Sequence, residues 1–230
     1  MKTVNLSYPL SQDIAREYAH PQVVAIGQFD GVHLGHASVI SSAVRQARQA
    51  GVPAAVMTFH PHPKDVMKKG DYDGNLTPLH EKQLLLQELG VETLYVVEFN
   101  DAFSHVSPFN FVEGMLFPLQ IHTAVVGFDF RFGHKGEGNA DMLRELGQTK
   151  MLVETIPPFL LGGEKVSSSV IRQALQSGDL VQVNHLLGRN YRLRGTVIDG
   201  DKRGRTIGFP TANLSLTDRF VVPAKEFMQS

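Results

Sequence analysis

Two histidines three residues apart, His33 and His36, close the run VVAIGQFDGVHLGH at residues 23–36. The apolar stretch 23–26 reads as a buried parallel strand ending at Gly27. From Gly35 onward, Val39, Ile40, Ala43, Val44 and Ala47 fall on one helical stripe. Residues 27–34 are therefore a strand-to-helix turn holding two glycines, Asp30 and His33. Such a turn suits phosphate. Gly27 and Gly31 permit close backbone approach, and the first free N–H groups of the helix, with its dipole, face an anion. His33 and His36, one helical turn apart, can turn both rings to one ligand and donate hydrogen bonds while neutral. No GxxxxGK[ST] loop occurs, which argues against a P-loop kinase. A metal site would need His33, His36, His60 and His62 to converge, but no cysteine or acidic pair completes the usual ligand set.

Other segments able to do chemistry follow further apolar runs. TFHPHP places Phe59, His60 and Pro61 at the end of a strand expected at 53–59. Phe128, Asp129, Phe130 and Arg131 follow TAVVG at 123–127; alternation prevents all the phenylalanines from facing the core, so an aromatic wall beside polar groups suits a flat heteroaromatic ring. Ser167, Ser168 and Arg172 lie at the start of a helix after a strand at 150–156, where serine caps the helix and arginine offers a planar fork to oxyanions.

The elements that must position these groups alternate strand and helix from residue 23 to about 187, as a doubly wound parallel α/β sheet requires. Five strands are expected, at 23–26, 53–59, 93–99, 123–127 and 150–156. Site segments follow the first, second, fourth and fifth, so one sheet edge gathers them. Residues 64–76 read as a mobile loop. Thr77 then caps a helix beginning at Pro78, with Leu84, Leu85 and Leu89 inward. Ser107 and Pro108 repeat that device, with Phe111, Met115 and Leu119 in the core.

The bulk properties fit a packed globular protein. Of 230 residues 42% are hydrophobic, enough for a core, and a net charge of -1 gives no reason to expect nucleic-acid binding. There is no cysteine, so thiol nucleophiles and disulfides are excluded. Nothing at the N-terminus is apolar enough for a signal peptide or membrane span, so a cytoplasmic protein is expected.

GQFDGVHLGH resembles the HxGH signature of the nucleotidylyltransferase superfamily, and its longer form G-x-F-D-G-x-H-x-G-H is similar to the bacterial FAD synthetases. TFHPHP, VGFDFRFG and VSSSVIR are similar to further motifs of that family, with Val166 and Ser169 as mild departures. The resemblance implies a Rossmann-like domain at 1–187 that joins FMN to the adenylyl group of ATP with Mg²⁺. It implies His33, His36 and Arg172 as catalytic, and Gly27, Phe29, Asp30, Gly31, Gly35, Ser167 and Ser168 around the nucleotide. Phe59, His60, Pro61, Phe128, Asp129, Phe130 and Arg131 fall to the flavin. The alternatives are an HxGH enzyme with another acceptor, or a non-catalytic flavin or nucleotide binder.

From residue 191 alternation changes to an antiparallel type, and GRTIGFPTAN resembles the start of bacterial riboflavin kinase, whose Thr and Asn, here Thr211 and Asn213, help hold Mg²⁺ and ATP phosphates. Residues 188–230 are thus expected to be an incomplete β-barrel fragment, unable to order itself and without kinase activity. Its last residues, KEFMQS, follow from a possible coding sequence for KGVYAV by deletion of one adenine. A frameshift is the expectation, and resequencing the gene tests it.

Overall fold

The computed structural model describes residues 1–67, 72–198 and 213–224. Along the chain run β1 (Lys2–Leu6), α1 (Gln12–Tyr18), β2 (Gln22–Ile26), α2 (Leu34–Ala50), β3 (Ala54–His60), α3 (Pro63–Val66), α4 (Leu79–Glu88) and β4 (Thr93–Glu98). Short helices α5 (Asp101–Ser104) and α6 (Pro108–Phe111) precede β5 (Ile121–Gly127), α7 (Ala140–Gly147) and β6 (Leu152–Ile156). A small hairpin, β7 (Leu160–Leu161) and β8 (Glu164–Lys165), leads to α8 (Ser168–Gln176) and α9 (Leu180–Leu187), then β9 (Gly195–Ile198) and β10 (Asn213–Leu216).

Among the described residues the main sheet has the order β1-β4-β3-β2-β5-β6, every pairing parallel. The doubly wound α/β expectation holds. From β2 the chain goes first to one side, to β3, and later to the other, to β5. The carboxyl ends of β2 and β5 therefore bound the crevice where open sheets of this kind take ligands. β2 is buried along its whole length, which is why it reads as an uninterrupted apolar run. One face of the sheet packs Val24, Ile26, Met57 and Tyr95 with Phe111, Met115 and Leu119. The other packs Val23, Ala25 and Val56 against the Val39, Ile40, Ala43, Val44 and Ala47 stripe of α2.

Several expectations need correction. The five-strand reading lacks β1, an edge strand with only Val4 and Leu6 buried; two apolar positions give almost no signal against a polar terminus. Thr77 does not cap α4. Pro78 occupies that place with extended backbone and no side-chain bond, while the Thr77 N–H is taken by Asp30 at 3.1 Å. Helix α4 buries Lys82 and Leu86, Leu85 and Leu89 are only partly buried, and Leu84 is exposed. The rotation follows from Lys82, whose ammonium donates to the Gln28 carbonyl at 2.7 Å and to Thr58 Oγ1 at 3.2 Å beneath the sheet edge.

The expected loop at 64–76 is tied down over its last residues. Asn75 bridges to Phe220, its N–H donates to the Arg219 carbonyl, and Leu76 is buried. Nor does the segment beyond residue 188 stand alone. β9 and β10 pair antiparallel, and Val221 is buried in a third core cluster with Leu76, Val166, Ile171 and Leu175. The tail finds order by packing on Leu76, Val166, Ile171 and Leu175, a route that its own small area could not indicate. Thr211 and the KEFMQS end lie outside the described residues; Asn213 is exposed at the start of β10.

Candidate active site

His33 is the N-cap of α2. Its backbone is extended and its Nδ1 accepts the His36 N–H at 3.2 Å. That bond places the proton of neutral His33 on Nε2. The two imidazoles stack at 3.6 Å between centroids, and Phe29 meets the His36 ring edge-on at 5.4 Å. Gly35 fits closely between them: a Cβ there would lie 3.2 Å from the His33 ring atoms Cε1 and Nδ1, so the ring would have to give way by a few tenths of an ångström. Burial pulls His33 down to about 4, against the field of Asp30. Burial, then the charges of His33 and Lys82, hold His36 well below the ordinary imidazole range. Both rings are neutral donors near neutrality. His36 Nδ1 is buried without a partner, the kind of unsatisfied polar atom that calls for a functional or structural account.

The turn before His33 is held from several sides. Asp30 is buried; one carboxylate oxygen accepts the N–H groups of Leu76 and Thr77 at 2.9 and 3.1 Å, and the other accepts Arg172 Nη2 at 2.6 Å. Ser168 Oγ donates to the Asp30 carbonyl at 2.8 Å. Arg172 also pairs with Asp73 and donates to the Gly74 carbonyl.

Two cavities open at this edge. The first, 310 Å³, is lined by His33, Gly35, His36, Gly127, Phe128, Asp129, Lys165 and Ser167 to Ser169. The second, 250 Å³ and aromatic, is lined by Phe59, Phe99, Phe103, Phe111, Arg131 and Phe132. The loop after β5 contributes to both. It divides the candidates that the sequence grouped together: Phe128 and Asp129 face the histidine cleft, Arg131 and Phe59 the aromatic cavity. Phe130 is buried, stacked on Phe132 at 5.4 Å. Asp129 pairs with Lys165 at 2.9 Å, and Lys165 sits 4.2 Å over the Phe128 ring. His60, Pro61 and Arg172 line neither cavity. Gly27 adjoins the Phe29 ring, which a Cβ there would approach to 3.0 Å. Ser167 caps α8 by accepting the Val170 N–H. Among the described residues no three His, Asp or Glu side chains are grouped to hold a metal ion.

Sequence reasoning missed Lys82. Its signal was present, since Leu79, Lys82 and Leu86 share the stripe of α4 that faces the sheet. Burial lowers the Lys82 ammonium to about 8 from 10.5, against the field of Asp30. Between those values the unfolded chain binds more protons, so this group's contribution to stability rises with pH there. Urea unfolding of the wild type and Lys82→Met at pH 7.5 to 10 is expected to show their stability difference moving toward the wild type as pH rises. A pH-independent difference contradicts the burial of a charged amine.

An open parallel sheet with a histidine-lined cleft at its switch point is the architecture of a nucleotidyltransferase-like α/β fold. Comparison with known proteins narrows this. The FAD synthetase family model matches residues 15–170 and the riboflavin kinase model residues 187–226. The bifunctional riboflavin kinase/FMN adenylyltransferase of Bacillus subtilis (strain 168) is 43% identical over 97% of this chain and 70% of its own length. That of Escherichia coli (strain K12) is 37% identical over 88% of this chain and 65% of its own. The crystal structure of a macrolide-efflux protein from Streptococcus pneumoniae superposes with a TM-score of 0.84 at 32% identity, covering 97% of this chain and 72% of that one. The chain belongs to the FAD synthetase family. No helix among the described residues is long and apolar enough to cross a membrane.

Proposed function

We propose that this chain transfers the adenylyl group of ATP to the phosphate of FMN, giving FAD and pyrophosphate. The observation that carries the reading is the opening of the His33–His36 pair and the α8 N-terminus into one cleft, with the loop after β5 continuing to an aromatic cavity. An FMN phosphate oxygen attacks the α-phosphorus of ATP; the bond to the oxygen bridging to the β-phosphorus breaks and pyrophosphate departs. No covalent enzyme intermediate is needed, so the protein contributes positioning and charge stabilisation.

In this reading His33 Nε2–H and His36 donate to the α- and β-phosphates, joined by the N–H groups at the start of α2. The N-terminus of α8, with Ser167 and Ser168, takes the leaving pyrophosphate. Arg172 is committed to Asp30, Asp73 and Gly74; it holds the turn in this state and would reach pyrophosphate only on leaving Asp73. The flavin ring takes the aromatic cavity beside Phe59 and Arg131, with Asp129 toward its phosphate end. Asp30 and Asp129 already answer Arg172 and Lys165. A protein-built Mg²⁺ site does not fit these residues, so the ion would enter with the ATP phosphates, and no step above depends on it. A net charge of -1 supports small-molecule partners over nucleic acid, and an ATP donor suits the cytoplasm.

Incubation with ATP and Mg²⁺ and, in parallel, FMN, riboflavin and a panel of other phosphorylated acceptors tests this. FAD and pyrophosphate are expected from FMN. Riboflavin lacks the attacking phosphate and gives no FAD through this site. Preference for another acceptor would reassign the substrate, and flavin quenching without pyrophosphate release would make the chain a binder.

A further inference from the structure

Arg189 lies outside the histidine cleft and the aromatic cavity, between α9 and β9, yet its guanidinium reaches the turn that carries His33. Nη2 donates to the Gly31 carbonyl at 2.6 Å, and Nη1 to the Val32 carbonyl at 3.0 Å. Nη2 also reaches Thr77 Oγ1 at 3.3 Å, and Nη1 the Leu187 carbonyl at 3.2 Å. The turn needs such a clamp. Phe29, Gly31 and Val32 all have positive φ, at 49°, 99° and 40°. Glycine takes this region freely, but a β-branched residue there is a true outlier that persists only where its surroundings over-determine it. Val32 is buried and cannot relax toward solvent.

The two carbonyls held by Arg189 belong to the peptide planes on either side of the Val32 Cα. A rigid planar fork bonded to both planes fixes φ and ψ of that residue together, which a single ammonium point cannot do. The next residue is His33, whose ring caps α2 and stacks on His36. We propose that Arg189 is a positioning residue for adenylyl transfer: it holds Val32 in its left-handed conformation and thereby sets His33 against the phosphates. This rests on the function proposed above. It also means that a residue within the stretch matched by the riboflavin kinase model serves the site of the other module.

The experiment is a double-mutant cycle between Arg189→Ala and Val32→Gly, with Arg189→Lys as the mild variant, reading kcat and KM for both substrates. Arg189→Ala is expected to lower kcat about 10²-fold, the scale of a misplaced catalytic group, with KM changing less than about threefold. Arg189→Lys keeps the charge and still loses most of that kcat. Glycine has no side-chain penalty at positive φ, so in the Val32→Gly background the Arg189→Ala loss is expected to shrink to about fivefold or less, a coupling that independent sites do not show. Equal losses in both backgrounds, or a KM effect with kcat intact, would overturn the proposal. If the wild-type chain makes no FAD, the functional reading fails by itself. The clamp is then judged by the ring-nitrogen NMR shifts of His33, expected to move in Arg189→Ala and to return toward wild type in the double variant. Unmoved shifts refute it.

Discussion

Replacing His36 with alanine lowers kcat/KM for FAD formation by about 10²- to 10³-fold, the loss seen when a preorganised donor to developing negative charge is removed. The size follows from how the ring is prepared. His36 is kept neutral by burial, so it brings no cation that must be desolvated. It is held between the face of His33 and the edge of Phe29, leaving little freedom to lose at the transition state. Its N–H on the main chain is already satisfied by His33 Nδ1, so truncating the side chain need not unwind α2. The measurement is steady-state FAD formation from FMN and ATP, with circular dichroism to check that the helix survives. Activity within threefold of wild type would remove His36 from the chemistry.

Asp30→Ala destabilises the whole fold by about 3–5 kcal/mol, the usual result of breaking a buried ion pair by deleting one partner. Three bonds vanish together. The Leu76 and Thr77 N–H groups lose their acceptor in a buried setting, and Arg172 keeps only Asp73 and the Gly74 carbonyl. For a chain of this size the midpoint of thermal unfolding should fall by on the order of 10 °C. Asp30→Asn preserves shape and one acceptor, so it should fall less. A midpoint within 2 °C of wild type in Asp30→Ala would mean that the carboxylate does not organise the loop.

Much of the site was legible because its parts follow buried strands, and a run such as VVAI fixes both the strand and where its carboxyl end must lie. Placing His33 and His36 on α2, and the serines on α8, needs only period and cap chemistry. What was not legible depends on partners distant in the chain. Arg172 reads locally as an anion fork, yet Asp30 and Asp73 fill it from 142 and 99 residues away. Phe130 looks like a candidate for a ligand wall until its burial against Phe132 is known. Lys82 shows the opposite failure: its helical register was readable, but the propensity of lysine for solvent hid it. Arg189 carried no local signal at all, since only the backbone conformation of Val32 gives it work.

The packing of Val221 and Tyr191 onto Leu76 and Ile171 bears on any attempt to divide the protein into halves. A cut placed at residue 187, where the helical pattern stops, would discard Arg189 with its grip on the histidine turn and strip the lid from a hydrophobic surface that includes the loop anchoring Asp30. The severed first half would expose an oily scar beside its own catalytic edge. A workable dissection must therefore carry the stretch 219–224 along or replace its apolar contacts by design.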